Sequence, residues 1–256
     1  MHKIIVLLFF LTISYFSIAQ NASDRIVKDS IKVDYNKQLK FNYKQLIIPT
    51  VFVSYGVIAL ESDQLKLFNS EIKEEVNEHI DQKITIDDFS QYTPAIAAIS
   101  MEALGVKGKN SLKDKAIILS TSYIIMGLTV KSLKTATHEQ RPDGSDFYSF
   151  PSGHTATAFM GAELLYQEYK DVSIWYGISG YLVAAGTGAF RIYNDRHWLN
   201  DVVAGAGIGI LSTKAAYWLF PTINKLFTNN KSTTKKSAFI PFYNGKTVGF
   251  GLVATF

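Results

Sequence analysis

Long uncharged stretches alternate with short polar segments along most of the chain. Residues 45–60, 90–101 and 172–190 carry no charge, and residues 116–130 are apolar on every side. A helix that is apolar all round is typical of a buried position, so we expect residues 116–130 to form a buried helix. The run 172–190 is rich in glycine and alanine, which allow neighbouring helices to approach closely.

The remaining segments complete a helical pattern. Residues 61–88 are strongly acidic, with apolar side chains at helical spacing, which predicts an amphipathic surface helix. Residues 155–169 predict another helix, and residues 202–220 predict a last one that stops at Pro221. The fold class expected is therefore all-α, a helical bundle of about six core helices between an N-terminal signal segment and a small C-terminal β-hairpin.

The two ends of the chain differ from the bundle. Residues 1–19 have a short basic start, an apolar run and small residues near position 19, which predicts a signal peptide. An uncleaved first membrane helix is the alternative, and both direct the chain out of the cytoplasm. We assign residues 20–44 to a polar lead-in, 45–227 to the bundle, and 228–256 to a linker and a β-hairpin that turns at Asn244-Gly245.

Composition excludes several kinds of chemistry. The chain has no cysteine, so disulfides, thiolate metal sites and cysteine nucleophiles are excluded. The net charge is only +4 and the basic residues form no long patch, so we expect no nucleic-acid partner. Nothing in the sequence indicates a protein partner, a metal or another cofactor.

Three clusters of polar residues lie at the ends of apolar helices. They are Lys134 with Arg141-Pro142, then Pro151-Ser152-Gly153-His154, and last Arg191 with His197 and Asp201. In an antiparallel bundle all three clusters fall at the same end. Cations gathered at the end of an apolar bundle need an anion, and phosphate fits the donors of arginine and lysine. We therefore predict that Lys134, Arg141 and Arg191 bind phosphate, together with donors from Ser152 and Gly153 at a helix start.

The two histidines then have complementary roles. His197 and Asp201 are four residues apart, so on a helical turn the carboxylate can accept a hydrogen bond from one ring nitrogen. The other nitrogen of His197 is left free to attack phosphorus. His154 is the predicted acid that protonates the leaving oxygen and the base that then activates water. The sequence thus predicts a metal-independent phosphatase with a phosphohistidine intermediate.

These spacings resemble the type 2 phosphatidic acid phosphatase and vanadium haloperoxidase superfamily. Its pattern is Lys, six residues and Arg-Pro; then Pro-Ser-Gly-His; then Ser-Arg, five residues, His, three residues and Asp. The chain matches at every position except the serine of the third motif, where it has Phe190. The resemblance implies a helical bundle with His197 as nucleophile, His154 as acid and Asp201 as the orienting carboxylate.

The family includes membrane lipid phosphatases and soluble exported enzymes, so the substrate stays open. A phosphorylated lipid is expected, of the phosphatidic acid, phosphatidylglycerophosphate, undecaprenyl pyrophosphate or lipid A type. The alternatives are a small phosphate ester cleaved by a soluble, broad-specificity acid phosphatase or phosphotransferase, and a vanadate-dependent haloperoxidase. A degenerate, non-enzymatic envelope protein is a further alternative, which the complete set of predicted catalytic residues disfavours.

Charge placement favours a membrane protein. A six-span arrangement puts the lysine-rich segments on the cytoplasmic side, and it puts the acidic stretch outside with the active site, facing the periplasm or the extracellular side. Several uncharged runs are shorter than the roughly 17–25 residues of a membrane span. In addition, a cleaved signal would leave Gln20 outside, whereas the six-span arrangement needs Lys44 on the cytoplasmic side. A soluble periplasmic protein is therefore the alternative.

Overall fold

The computed structural model describes residues 42–78, 85–228, 236–243 and 248–255, and its side chains up to residue 225. After a 3₁₀ turn, Tyr43–Leu46, come the helices α1 (Ile47–Ala59), α2 (Asp63–Asn77), α3 (Asp87–Ser90), α4 (Thr93–Ser100), α5 (Leu112–Thr137), α6 (Gly153–Tyr169), α7 (Ile174–Tyr193) and α8 (Leu199–Thr228). This order confirms the predicted helical bundle.

The chain ends in two strands, β1 (Lys236–Tyr243) and β2 (Val248–Thr255). They pair in antiparallel register, with Lys236 opposite Thr255. The predicted signal peptide 1–19, the lead-in up to residue 41, the linker 229–235 and the turn Asn244-Gly245 lie outside the described residues. The placement of a hairpin on the helices stays a prediction.

Helix α6 is the centre of the bundle. Thirteen of its seventeen residues are buried, and it packs against α4, α5, α7 and α8. Small residues make this packing possible. A Cβ atom at Gly209 of α8 would lie 2.3 Å from the carbonyl oxygen of Ala156, and one at Gly180 of α7 would lie 2.9 Å from Leu165. The expected close approach of helices through the glycine-rich run 172–190 is thus confirmed.

Helix α5 corrects the expectation of a fully buried helix at residues 116–130. One face is buried, through Ile118, Ser122, Met126 and Val130, whereas Leu128 on the opposite side is 64% exposed. A helix whose apolar residues face outward all along its length suits a lipid environment better than water. The apolar pattern therefore reflects one side packed in the protein and an opposite side suited to contact with a membrane.

Two of the described helices are long and apolar enough to cross a membrane, Leu112–Thr137 and Leu199–Lys225. The segment Tyr43–Ala59 and helix α2 meet at an angle of 98°, and together they can count as one broken span. The described residues therefore offer two or three candidate spans by length and composition, fewer than the six spans considered from the sequence. Helix α6 is covered by other helices, whereas α7 exposes Trp175 and Leu182.

Helix α8 does not stop at Pro221, contrary to the sequence prediction. It continues to Thr228 with the proline inside. A proline removes only its own N–H from the helical ladder, here the bond to the carbonyl of Tyr217, and neighbouring packing can compensate for that loss.

We expect Gly209→Ala to lower the free energy of unfolding by about 1–3 kcal/mol, because the new methyl group collides with the backbone of α6. The matched control is Gly127→Ala in α5, where an added Cβ meets nothing within 4 Å. That change is expected to raise stability by up to about 1 kcal/mol through helix propensity. Thermal unfolding of the purified protein in detergent measures both, and equal effects would contradict the close contact of α6 with α8.

Candidate active site

The three sequence clusters meet at one end of the bundle. Arg141 from the first cluster, His154 from the second and Arg191 from the third line one cavity of about 280 Å³. The other lining residues are Thr85, Asp87, Asp88, Asn194 and Arg196. Residues as far apart in the chain as Thr85 and Arg196 thus contribute to a single pocket, as an antiparallel arrangement of helices allows.

His197 is held by the first turn of α8. Its Nδ1 lies 3.3 Å from Oδ2 of Asp201, and the side chain is only 2% exposed. The same carboxylate oxygen accepts the backbone N–H of Trp198 at 3.0 Å, which fixes the start of the helix. With Nδ1 directed at a carboxylate, Nε2 is the nitrogen that carries a free lone pair.

Ser149 is a residue of this site that the sequence interpretation missed. Its hydroxyl donates to Oδ2 of Asp201 at 2.5 Å, and it lies 3.4 Å from Nδ1 of His197. A serine in a loop carries no distinctive spacing signal, so only the folded loop reveals its partner. The hydroxyl helps to hold the carboxylate in the position from which it orients the imidazole.

The surroundings keep His197 neutral. Burial lowers the pKa of its imidazole well below the ordinary value, and the positive charges of Lys134, Arg191 and Arg141 lower it further. A neutral imidazole with one nitrogen free is the form that can act as a nucleophile. The electrostatics therefore agree with the role predicted from the sequence.

Lys134 lies beside the cavity and does not line it in this structure. Its ammonium group donates to the carbonyl oxygens of Tyr148 and Ser149, the second at 3.1 Å. The lysine thereby ties the end of α5 to the loop that leads into the second cluster. Its charge still acts on His197, while its direct contact with a phosphate stays a prediction.

Ser152 has partners within the protein, while donation from its hydroxyl to a phosphate stays a prediction. Its backbone N–H donates to the carbonyl oxygen of Asp201 at 3.0 Å and is not free for an anion. Its buried hydroxyl accepts from the N–H and the hydroxyl of Thr155, so it caps α6. At Gly153 an added Cβ would meet only Val130, at 3.8 Å, so no protein group requires glycine there. A close approach of an anion to Gly153 stays a prediction.

Two acidic residues enter the cavity, and the sequence interpretation had assigned them to a surface helix. Asp87 is 1% exposed and accepts from Arg191 Nη1 at 2.5 Å and from Asn194 Nδ2 at 3.0 Å. Oδ1 of Asp88 lies 2.9 Å from Nε2 of His154. Acidic composition alone does not tell which carboxylates turn inward.

The donor set of the cavity fits an anion better than a metal ion. Asp87, Asp88 and His154 each place one ligand atom within 4.8 Å of the others, which is the spacing of a cation site. Both oxygens of Asp87 are already hydrogen-bonded, however, and three arginines line the same cavity. A divalent cation beside these guanidinium groups would be strongly repelled, whereas phosphate would be attracted.

Comparisons with known proteins agree with the three motifs. Residues 115–225 match the family model of the PAP2 superfamily, and this range contains all of the predicted site residues. Lipid A 1-phosphatase of Porphyromonas gingivalis is 42% identical over 153 residues, which are 59% of this chain and 34% of that protein. The chain therefore spans about a third of the length of this curated relative.

Two solved structures are also similar. Aquifex aeolicus LpxE is 24% identical and matches 58% of this chain and 94% of its own, with a TM-score of 0.44. The PAP2 type phosphatidylglycerolphosphate phosphatase of Bacillus subtilis is 18% identical and matches 74% of this chain and 100% of its own, with a TM-score of 0.46. The match of residues 115–225 to the PAP2 superfamily model confirms the resemblance carried by the motifs.

Proposed function

We propose that the protein is a phosphoric ester hydrolase that removes phosphate from a phosphorylated lipid through a phosphohistidine on His197. The observation that carries this proposal is the pairing of a buried, neutral His197 with Asp201, close to a cavity lined by His154, Arg141 and Arg191. A nucleophile, an acid and fixed cations are the groups that phosphoryl transfer needs.

In the first step, Nε2 of His197 attacks phosphorus and forms the P–N bond, while the bond from phosphorus to the ester oxygen breaks. His154 gives its proton to that oxygen, so the leaving group departs as an alcohol. Arg141 and Arg191 stabilise the negative charge on the equatorial oxygens of the transition state, and Lys134 adds to the positive field. Asp201 and Ser149 hold the imidazolium that forms.

In the second step, a water molecule hydrolyses the phosphohistidine. His154 accepts a proton from the water, the resulting hydroxide attacks phosphorus, and the P–N bond breaks. Inorganic phosphate leaves and His197 returns to its neutral form. None of these steps passes through a metal ion.

Three observations support a lipid substrate. The cavity of about 280 Å³ is small for a ligand pocket, so it suits a phosphate group whose attached molecule stays outside. The exposed apolar side of α5 and the candidate spans support a location in a membrane. Among the lipid classes considered, the name of the similar lipid A 1-phosphatase favours lipid A. We place the active site on the periplasmic or extracellular side, as the charge distribution predicts.

We expect His197→Ala to reduce phosphate release from detergent-dispersed lipid A or phosphatidic acid by at least about a thousandfold, because the nucleophile is lost. The control is His138→Asn. His138 follows the last residue of α5 in a left-handed backbone conformation, which asparagine tolerates, and it lies outside the cavity, so this variant should keep activity. Wild-type activity should persist in a chelator. Loss of activity in the chelator, or full activity of His197→Ala, would contradict the mechanism. Equal rates on small soluble esters would favour the broad-specificity alternative.

The pH dependence follows from His154. Burial lowers the pKa of His154 and the charge of Arg191 lowers it further, while Asp88 opposes them. The acid must be protonated, so kcat/KM on a lipid should fall as pH rises through this pKa, by about tenfold per unit beyond it. A nitrophenyl phosphate, whose leaving group needs no proton, should show a much weaker fall. Identical profiles for the two substrates would argue against His154 as the acid.

A further inference from the structure

The short helix α3 is fastened to the active site by three polar contacts. Asp87 pairs with Arg191 of α7, Asp88 contacts His154 of α6, and the hydroxyl of Ser90 lies 2.7 Å from that of Thr187 in α7. Contacts with two core helices give the carboxylates of α3 a defined position at the edge of the cavity.

The two carboxylates differ in their surroundings. Asp87 is buried and neutralises Arg191, so its removal would leave a buried charge without a partner. The side chain of Asp88 is 52% exposed, and within the described part of the chain its carboxylate contacts the side chain of His154. An exposed ion pair contributes little to stability, so the contact between Asp88 and His154 calls for a reason other than folding.

We propose that Asp88 is a positioning residue for His154: its carboxylate accepts the Nε2–H of the imidazole and directs Nδ1 toward the leaving oxygen. This inference rests on the proposed phosphatase function, within which it assigns a task to a residue outside the three motifs. The carboxylate fixes the orientation of the ring and favours its protonated form, as a carboxylate beside a catalytic histidine does in general.

The arrangement gives a consistent path for the proton. The protonated His154 keeps its Nε2–H on Asp88 and delivers the Nδ1 proton to the ester oxygen as the bond to phosphorus breaks. The neutral ring then still donates Nε2–H to Asp88, and Nδ1 is the nitrogen free to take a proton from the hydrolytic water. The same orientation therefore serves both steps.

The charges around His154 come from two helices, α3 and α7, and from the loops that carry Arg141 and Arg196. Asp88 and Asp87 of α3 favour the protonated ring, whereas Arg191 of α7 disfavours it. Arg141 and Arg196 line the same cavity and add positive charge. Asp88 is the one of these groups in contact with the ring, so its neutralisation is expected to have the largest effect.

The test is Asp88→Asn, which keeps the size of the side chain and removes its charge. We expect the alkaline fall of kcat/KM on phosphatidic acid to move to lower pH, because the ring loses the anion that favours its proton. The loss should be about tenfold at pH 8 and under about twofold at acidic pH. A nitrophenyl phosphate should show much less loss, and Asp88→Glu should restore most of the lipid activity.

The matched control is Asp171→Asn, the same change on an exposed residue at the opposite end of α6. It should leave the pH profile unchanged. An unshifted profile in Asp88→Asn, or a loss that is equal at all pH values and for both substrates, would overturn the proposal. If His197→Ala is inactive while the pH profile of Asp88→Asn is unshifted, the proposed role of Asp88 is wrong and the proposed function stands. If His197→Ala retains activity, the proposed function itself fails.

Discussion

The hydrogen bond from the Ser152 N–H to the carbonyl oxygen of Asp201 joins the start of α6 to the first turn of α8, and the geometry of the site depends on it. It holds the motif that carries His154 against the motif that carries His197. The contact is possible because Gly205 leaves room, since a Cβ atom there would lie 2.5 Å from the carbonyl oxygen of Ser152. A close backbone approach therefore sets the relative position of the two imidazoles.

The second constraint is the balance of charge in the cavity. Arg141 and Arg191 favour an anion. Burial lowers the pKa of His197, and the positive field lowers it further, so that the imidazole stays neutral. The same field acts against the protonated form of His154 that the proposed reaction needs. Asp87 and Asp88 moderate this conflict, one by pairing with a guanidinium and the other by contacting the acid. The proposed reaction needs the two histidines in different protonation states at the same pH, and the carboxylates of Asp88 and Asp87 favour the protonated form of His154.

The opposite end of α6 is held by polar side chains of a different kind. Buried Glu163 contacts Lys214 at 2.6 Å and also binds the hydroxyl of Tyr181, linking α6 to α8 and α7. Glu168 accepts from Asn110 at 2.6 Å and from Tyr217. Such bonds specify which helices meet and in what register, because a buried charge without its partner is costly. Both ends of the central helix are therefore fixed, and the active-site end is kept from shifting along α8.

The sequence by itself determined the all-helical class, the order of the helices and the candidate residues, because apolar periodicity and motif spacing are local properties. His197 and Asp201 could be paired from their separation of four residues alone. The tertiary structure decided which polar groups form hydrogen bonds within the protein and which ones face the cavity. It turned the Ser152 N–H into a link between helices, directed Lys134 to loop carbonyls, and brought Ser149, Asp87 and Asp88 into the site. These outcomes depend on contacts between segments far apart in the chain, and no local pattern encodes the distance between two such segments.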